Sequence, residues 1–312
     1  SIDLIGSHGQ TISHIPRAIK GKHGKDVRFG YRTPATLQIA EAAVIAKKTG
    51  VHTVSDFRTR DIAEGGEGAP LTPYAHYHLF SNKRRSVSVN NLGGISNLTY
   101  LRKGGTLEDI IAFDTGPGNM LIDGIMFLLT EGKKNYDLNG SMARKGKPDE
   151  FFIRRMMQNP YLRKPPPKST GREEFGLEFA RTILNQARMK YIAPADLVAS
   201  VTYFTARTIG LAYRKFILDK ENDVDEAIFC GGGINNKTLM SMIRDVLDPI
   251  KVTLTDEYKI PGESLESIAF ALLAHATVTG TPASIPAATG AKGSVVLGKV
   301  SPGCPGVKFQ LS

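Results

Sequence analysis

The chain has 312 residues, of which 41% are hydrophobic and 22% charged, which is ordinary for a folded globular protein of one or, more often, two domains. Its net charge is +10, but the basic residues at 133–172 accompany neither an aromatic stacking platform nor a recognition-helix pattern, which disfavours nucleic-acid binding. No apolar run reaches the ~18 residues of a membrane span, and Cys230 and Cys304 lack the spacing of a zinc site or a disulfide framework, so a reducing cytoplasm is the expectation.

The first part of the chain predicts only a strand, a helix and a strand. An apolar strand at 2–5 ends in the turn GSHGQT. A Thr-Pro pair at 33–34 is typical of an N-cap and first helical position, and predicts a helix through Lys48 that Gly50 ends. The next strand, 51–54, is followed by SDFRTRDIAEGGEGAP.

From Ser86 onward the pattern changes. The segments VSVNNL and NLTYL, joined by the tight GGIS turn, predict a β-hairpin, and DIIAF predicts a third strand. Strands EAIFC and VTL follow later, between helices near 119–131, 172–190, 196–218 and 263–278. The composition after Gly280 predicts a tail packed over the surface.

Three strands opened by a hairpin and followed by a helix form one half of the actin-like ATPase, or ribonuclease H-like, architecture. We therefore predict an α/β, two-domain sugar-kinase fold of this type. Residues 1–85 would be the remnant of the first, sugar-facing domain, without its opening βββα unit. Residues 86–312, with the tail 280–312, would be the second domain.

The segment AFDTGPGN at 112–119 has the composition of an anion-binding turn. Glycines allow backbone N–H groups to approach a ligand closely, and a helix beginning at Asn119 would add its positive end. Asp114 beside such a turn indicates a role through Mg²⁺ or an ordered water. The alternative is a simple strand-to-helix turn with Asp114 as an acid of the first helical turn.

A second glycine turn, FCGGGINN at 229–236, also lies between a strand and a helix. A dinucleotide loop needs a glycine where Asn236 stands, so the G-x-G-x-x-G pattern fails, although Asp256 follows one strand later. A turn passing close to a nucleoside fits better. A dinucleotide-dependent oxidoreductase rests on the two glycine turns alone.

Asp56 is the main candidate for chemistry on a substrate. It follows a strand end, where ligand-facing residues of open α/β sheets lie, and a carboxylate there can act as a general base. Arg58 would orient it or bind an anionic group, and His8 is also at a strand end. The alternatives are surface ion pairs, Asp56–Arg58 or Asp61–Arg60, and a structural or exposed histidine.

Six motifs, in register, resemble those of the anhydro-N-acetylmuramic acid kinases and the related levoglucosan kinases: GSHGQTI, DFRTRDIAEGGEGAPLTP, NLGGISNL, FDTGPGNMLID, PKSTGRE and GGGINN. The resemblance runs from residue 1 to about the end. It implies a cytoplasmic kinase of amino-sugar metabolism that binds ATP, Mg²⁺ and a 1,6-anhydro sugar in a cleft between two domains. Members of the family often form dimers, which suggests a homodimer, and the composition indicates neither a nucleic-acid nor a membrane partner.

The resemblance further implies roles for individual residues. Asp56 would activate water for attack on the anomeric carbon while the anhydro bridge opens and O6 receives the γ-phosphate, with His8 and Arg58 near the sugar. The phosphate loop would comprise Asp114, Thr115, Gly116, Pro117, Gly118 and Asn119. The adenosine side would comprise Gly231, Gly232, Gly233 and Asn235.

Two departures from the family accompany the resemblance. Its members begin with a glycine- and serine-rich phosphate loop carrying an acidic residue, and this chain starts after that loop, so we expect at most very weak activity. Tyr203 stands about where the family has a glutamate near the sugar. The sequence does not choose between the two sugars, and a non-catalytic sugar- or nucleotide-binding regulatory protein is the alternative.

Overall fold

The computed structural model describes residues 2–15, 35–218, 222–262 and 264–303. The described residues form two units. Unit 1 takes those within Ser1–Leu79, Leu107–Ile110 and Glu266–Ser312, and unit 2 those within Phe80–Thr106 and Ile111–Leu265. In these ranges no helix combines the length and the apolar character that a bilayer crossing needs.

The elements are numbered in chain order. The strands are β1 (Ile5–Gly6), β2 (Gln10–Ile15), β3 (Ala35–Ile39), β4 (Thr53–Ser55), β5 (Val87–Leu92), β6 (Ile95–Leu101), β7 (Ile111–Pro117), β8 (Glu226–Cys230), β9 (Lys251–Leu254) and β10 (Lys299–Ser301). The helices are α1 (Ala42–Thr49), α2 (Thr59–Ala63), α3 (Pro73–Phe80), α4 (Met120–Leu129), α5 (Glu150–Met156), α6 (Arg172–Phe175), α7 (Leu177–Met189), α8 (Pro194–Ala212), α9 (Lys237–Leu247), α10 (Leu265–Val278) and α11 (Pro286–Thr289).

Unit 2 is built on a five-stranded sheet in the order β7-β6-β5-β8-β9. β6 is antiparallel to both β5 and β7, while β8 pairs parallel with β5 and β9 parallel with β8. The hairpin between β5 and β6 turns at Gly93 and Gly94, as the GG sequence predicts. This order and hairpin are those of one half of the actin-like, ribonuclease H-like fold, so the predicted fold class is confirmed.

The buried helix α8 connects the unit 2 core to the turn after β7. Pro194 occupies its first turn, and residues such as Val201 and Phe204 are 0% exposed. From this helix the Thr205 hydroxyl donates to the Gly118 carbonyl at 3.1 Å. A Cβ added to Gly116 would lie 3.1 Å from the Thr208 side chain, so the core packs directly against the AFDTGPGN segment.

Unit 1 contains a three-stranded sheet in the order β1-β4-β10, with β1 parallel and β10 antiparallel to β4. The predicted surface tail therefore contributes a strand instead of lying over the surface. Ile285 and Leu297 from the same segment are 3% and 1% exposed, since they belong to the core. Gly6 packs against the backbone of Phe270, where a Cβ would lie 2.4 Å from the carbonyl oxygen. The chain from Glu266 thus groups with unit 1 and not with the predicted domain 86–312.

The helix predicted from Thr33 to Lys48 is only half correct. Ala35–Ile39 is a strand paired antiparallel with β2, and α1 begins at Ala42. Glu41 is its N-cap and accepts from the Ala43 N–H at 3.0 Å. Thr33 and Pro34 lie outside the described residues. Gly50 ends the helix as predicted, with φ of 73° and its N–H donating to the Ala46 carbonyl at 2.8 Å.

Candidate active site

In unit 1, Asp56 follows β4 directly with a φ of 53°, in the left-handed region that aspartate adopts more readily than most other non-glycine residues. Its carboxylate accepts a hydrogen bond from the Thr59 hydroxyl at the start of α2. The Lys299 ammonium on β10 lies 2.6 Å from its other oxygen. Asp56, Thr59 and Lys299 line a cavity of about 650 Å³, so the carboxylate is held in a fixed orientation at open space.

Arg58 does not form the surface ion pair with Asp56 that the sequence left open. Its Nε and Nη2 lie 3.0 and 2.8 Å from His8 Nε2, and its Nη1 donates to the Gly68 carbonyl at 2.6 Å. Because a guanidinium only donates, His8 Nε2 accepts, and Nδ1 carries the proton that it donates to the Gly9 carbonyl at 2.8 Å. Burial, and then the charge of Arg58, lower the pKa of His8, so the imidazole is neutral.

Asp61 is a buried structural carboxylate that sequence reasoning did not recognise. Its side chain is 0% exposed and accepts from the Thr289 hydroxyl and from the Gly68 N–H, each at 2.7 Å. Burial raises the pKa of this carboxyl. A Cβ on Gly66 would lie 2.2 Å from Asp61 Oδ2, so the GGEGAP loop wraps closely around the carboxylate. Arg60, the predicted ion-pair partner of Asp61, instead lies 4.0 Å from Glu64.

In unit 2, the turn after β7 packs against the hairpin turn. Gly118 N–H donates to the Gly94 carbonyl at 2.9 Å, Asn119 N–H to the Gly93 carbonyl at 2.8 Å and Met120 N–H to the Gly94 carbonyl at 3.1 Å. A Cβ on Gly118 would lie 2.2 Å from the Gly93 carbonyl oxygen, which explains the glycine. The expectation that these N–H groups point at a ligand is therefore wrong, because the hairpin carbonyls occupy them.

Asp114 lies within β7, six residues before α4 begins, so it is not an acid of the first helical turn. Its Oδ2 accepts from the Thr170 N–H at 2.9 Å and its N–H donates to the Lys168 carbonyl at 3.1 Å. Its own carbonyl accepts from the Tyr161 hydroxyl at 2.7 Å. The PKSTGRE segment thus fixes Asp114, a role that the sequence did not reveal.

Lys168 in that segment is 8% exposed, which is rare for a lysine. Its ammonium lies 4.6 Å from the ring centroid of Phe216 and 4.7 Å from that of Tyr161, distances at which cation–π attraction operates. Burial, and then the charge of Lys215, lower its pKa to about 8, while Asp114 acts in the opposite direction. Thr115, the residue after Asp114 in β7, donates from its hydroxyl to Ser96 Oγ at 2.9 Å.

The second glycine turn packs against the same end of the hairpin, at the last two residues of β5. Gly231 has a φ of 83°, and a Cβ there would lie 2.2 Å from Asn91 Oδ1. A Cβ on Gly233 would lie 2.6 Å from that of Leu92. Gly232, in contrast, has open space where a Cβ would be. Close packing therefore accounts for Gly231 and Gly233, and Gly232 faces a cavity.

That cavity has a volume of about 470 Å³ and brings together three predicted site residues, Asn119, Gly232 and Asn235. It is also lined by residues that sequence reasoning missed, namely Asp123, Tyr136, Asp137, Leu138, Asn139 and Asn236. Asp123 could have been predicted from the sequence, because it follows Asn119 by four residues in a predicted helix and so lies on the same helix face. Gly116 and Pro117 do not line this cavity. Tyr203 packs, partly buried, against the unit 2 core.

Comparison with known proteins gives one consistent family. The family profile Anhydro-N-acetylmuramic acid kinase matches residues 1–303. The anhydro-N-acetylmuramic acid kinase of Caldanaerobacter subterraneus subsp. tengcongensis is 46% identical over 96% of this chain and 74% of its own length. That of Clostridioides difficile is 43% identical over 97% of this chain and 75% of its own length.

Among solved structures, the activator of the 2-hydroxyisocaproyl-CoA dehydratase from Clostridium difficile, with bound ADPNP, superposes with a TM-score of 0.42 at 12% identity. The superposition covers 71% of this chain and 66% of the activator's chain. On the match of the family profile and the identity to these kinases, the chain belongs to the anhydro-N-acetylmuramic acid kinase family.

Proposed function

We propose that the protein is an ATP-dependent kinase of 1,6-anhydro-N-acetylmuramic acid, the sugar named for its relatives, with levoglucosan as the second sugar to be tested. Water attacks the anomeric carbon and loses a proton to Asp56. The bond from that carbon to O6 breaks, and O6 takes the γ-phosphoryl group as the bond to the β-phosphate breaks. The products are the 6-phosphorylated sugar with a free anomeric hydroxyl, ADP and a proton.

The observation that carries this proposal is the state of the Asp56 carboxylate. It sits at a strand end in left-handed backbone geometry, is oriented by Thr59 and Lys299, and faces open space. A general base needs a fixed orientation and access to the proton that it removes, and this arrangement supplies both.

His8 and Arg58 support the proposal by their hydrogen bonding. With Nδ1–H on the Gly9 carbonyl and Nε2 accepting from Arg58, the imidazole is neutral and oriented, and the guanidinium is held in place. We assign to this pair the positioning of the sugar, as the family resemblance implies. The pair is not a second base, because its accepting nitrogen is already occupied.

On the nucleotide side, the cavity beside Gly232 and Asn119 is the proposed adenosine and phosphate site. Asp114 is partly exposed, and one carboxylate with nucleotide phosphates is a common way of binding Mg²⁺. Mg²⁺ bound there would neutralise charge on the phosphates. The expected homodimer and the cytoplasmic location stay predictions.

The test is a kinase assay in ¹⁸O-labelled water with ATP and each of the two sugars. We expect a 6-phosphorylated product that carries one ¹⁸O at the anomeric carbon when the reaction is stopped early. Asp56→Asn should reduce turnover by at least a hundredfold, since general-base catalysis contributes about 10²–10⁴-fold. Asp3→Asn, an exposed carboxylate of the same unit, is the charge-matched control.

Other outcomes of this assay are equally informative. Product without ¹⁸O would mean that water does not attack the anomeric carbon, and equal activity of the Asp56→Asn variant would remove Asp56 as the base. Binding of sugar or ATP in a calorimeter with no product at any enzyme concentration would favour the non-catalytic binding protein instead.

A further inference from the structure

Asp123 is one of two carboxylates that line the cavity beside Gly232. It lies on α4, is partly buried, and makes neither a hydrogen bond nor an ion pair through its side chain with any residue in the described ranges. Asp137, in the same cavity wall, accepts from the N–H groups of Met142 and Ala143, both at 2.9 Å. One carboxylate is therefore used to hold the fold, while the other is left available.

Keeping such a carboxylate partly buried disfavours its charged form. Burial alone raises the pKa of Asp123 to about 6, and no nearby cation offsets it. A carboxyl with a perturbed pKa in a cavity is a common sign of a ligand-binding site. The other polar groups lining this cavity are mainly neutral amides and the Tyr136 hydroxyl, so the cavity suits a neutral, hydroxyl-rich part of a ligand.

The position of Asp123 along α4 indicates which part of a bound nucleotide it contacts. It is four residues after Asn119, which is about 6 Å along the helix axis from the end that faces the AFDTGPGN turn. In a nucleotide whose phosphates lie beside Asn119, which lines the same cavity, the next group is the ribose. Tyr136 and Asn139 line the same cavity.

We infer that Asp123 accepts hydrogen bonds from the 2′- and 3′-hydroxyls of the nucleotide ribose. This inference rests on the proposed use of ATP. A vicinal diol offers two donors to the two oxygens of one carboxylate, and hydrogen bonds to a charged acceptor are stronger than neutral ones. The interaction would also make the protein bind ribonucleotides more tightly than their deoxy forms.

The experiment measures binding of ADP, 2′-deoxy-ADP and 3′-deoxy-ADP by calorimetry at pH 8, without Mg²⁺. The unsubstituted protein should bind ADP about tenfold more tightly than either deoxy form, which is the effect of losing one charge-assisted hydrogen bond. Asp123→Asn should weaken ADP binding about tenfold and remove most of the difference in affinity between ADP and its deoxy forms. Asp245→Asn, an exposed carboxylate on α9 of the same unit, should behave as the unsubstituted protein.

The competing outcomes are distinct. If all three ligands bind equally to the unsubstituted protein, or if Asp123→Asn keeps the full discrimination, the ribose assignment is wrong while the proposed kinase stands. If ADP does not bind the unsubstituted protein, both this inference and the proposed function fail. The melting temperature of Asp123→Asn, measured alongside, shows that the variant is folded.

Discussion

The Lys299 ammonium on β10 lies 2.6 Å from Oδ2 of Asp56 at the end of β4. The two strands pair antiparallel, so the register of the sheet brings the two side chains to one end. The Lys299 side chain is 70% exposed and that of Asp56 27%, which leaves the pair accessible from solvent. An ion pair of this kind adds little to stability, but it fixes the direction in which the carboxylate faces.

Lys299→Met should lower kcat two- to fivefold with little change in KM for the sugar. Exposed ion pairs contribute about 0.2–1 kcal/mol, and here that energy would be lost from the orientation of the base and not from sugar binding. Steady-state kinetics on the anhydro sugar at saturating ATP measures both constants. Lys292→Met, at an exposed lysine of the same unit, is the control. A rise in KM at constant kcat would assign Lys299 to sugar binding instead.

His8→Gln should make stability less sensitive to acid. Burial and the charge of Arg58 lower the pKa of His8 in the folded state, so the unfolded state binds the proton more readily, and stability falls as pH drops through about 6.5. Glu266 acts in the opposite direction. Glutamine can still accept from Arg58 but does not titrate. Urea unfolding at pH 7.5 and 5.0 should show a smaller drop for the variant, and an equal drop would contradict the neutral, accepting state of His8.

Asp61→Ala should reduce the free energy of unfolding by about 2–4 kcal/mol, because it leaves the buried Gly68 N–H and the Thr289 hydroxyl without their acceptor. Thr289→Val removes only one of these hydrogen bonds and should cost about 1 kcal/mol. Both values come from urea unfolding at pH 7. Equal losses for the two variants would show that the Gly68 contact contributes nothing.

Much of unit 2 could be predicted from local sequence. The GG turn between two alternating segments predicted the hairpin, and the apolar EAIFC run predicted β8 at its observed bounds. These succeed because strand and turn propensities act over a few residues. The helix predicted through residues 35–39 failed for the same reason. Leu37, Ala40 and Val44 have helical spacing, but pairing of β3 with β2 overrides it.

The site was predicted as separate motifs, and the parts that were missed depend on contacts distant in sequence. Asp56 and Lys299 are joined only because the last described strand returns to β4. His8 and Arg58 meet across 50 residues of chain. The glycines of the AFDTGPGN turn were expected to let backbone N–H groups approach an anion, but the group that approaches Gly118 is the Gly93 carbonyl. Composition alone does not distinguish a ligand from a neighbouring backbone.

Gly118→Ala should destabilise the protein by about 1–3 kcal/mol, because its Cβ would lie 2.2 Å from the Gly93 carbonyl oxygen and push the hairpin away. Gly232→Ala meets no atom within 4 Å and should leave the free energy of unfolding unchanged within about 0.5 kcal/mol. The pair is compared by urea unfolding. If Gly118→Ala is as stable as Gly232→Ala, the two turns do not pack as described.

Asp123→Asn should stabilise the protein without nucleotide by about 1–2 kcal/mol at pH 7.5, an amount discounted for partial exposure. The folded-state pKa of about 6 exceeds the ordinary aspartate value of 3.8, so the folded state keeps the proton longer and the carboxyl reduces stability as pH rises from about 4 to 6. The advantage of the variant should therefore grow across that window and disappear near pH 4.

Tyr136 and Asp137 line the same cavity and are present in both proteins. Urea unfolding at pH 4, 6 and 7.5 measures the difference in the free energy of unfolding. A variant less stable at pH 7.5 would mean that Asp123 stabilises the fold and is not available to a ligand.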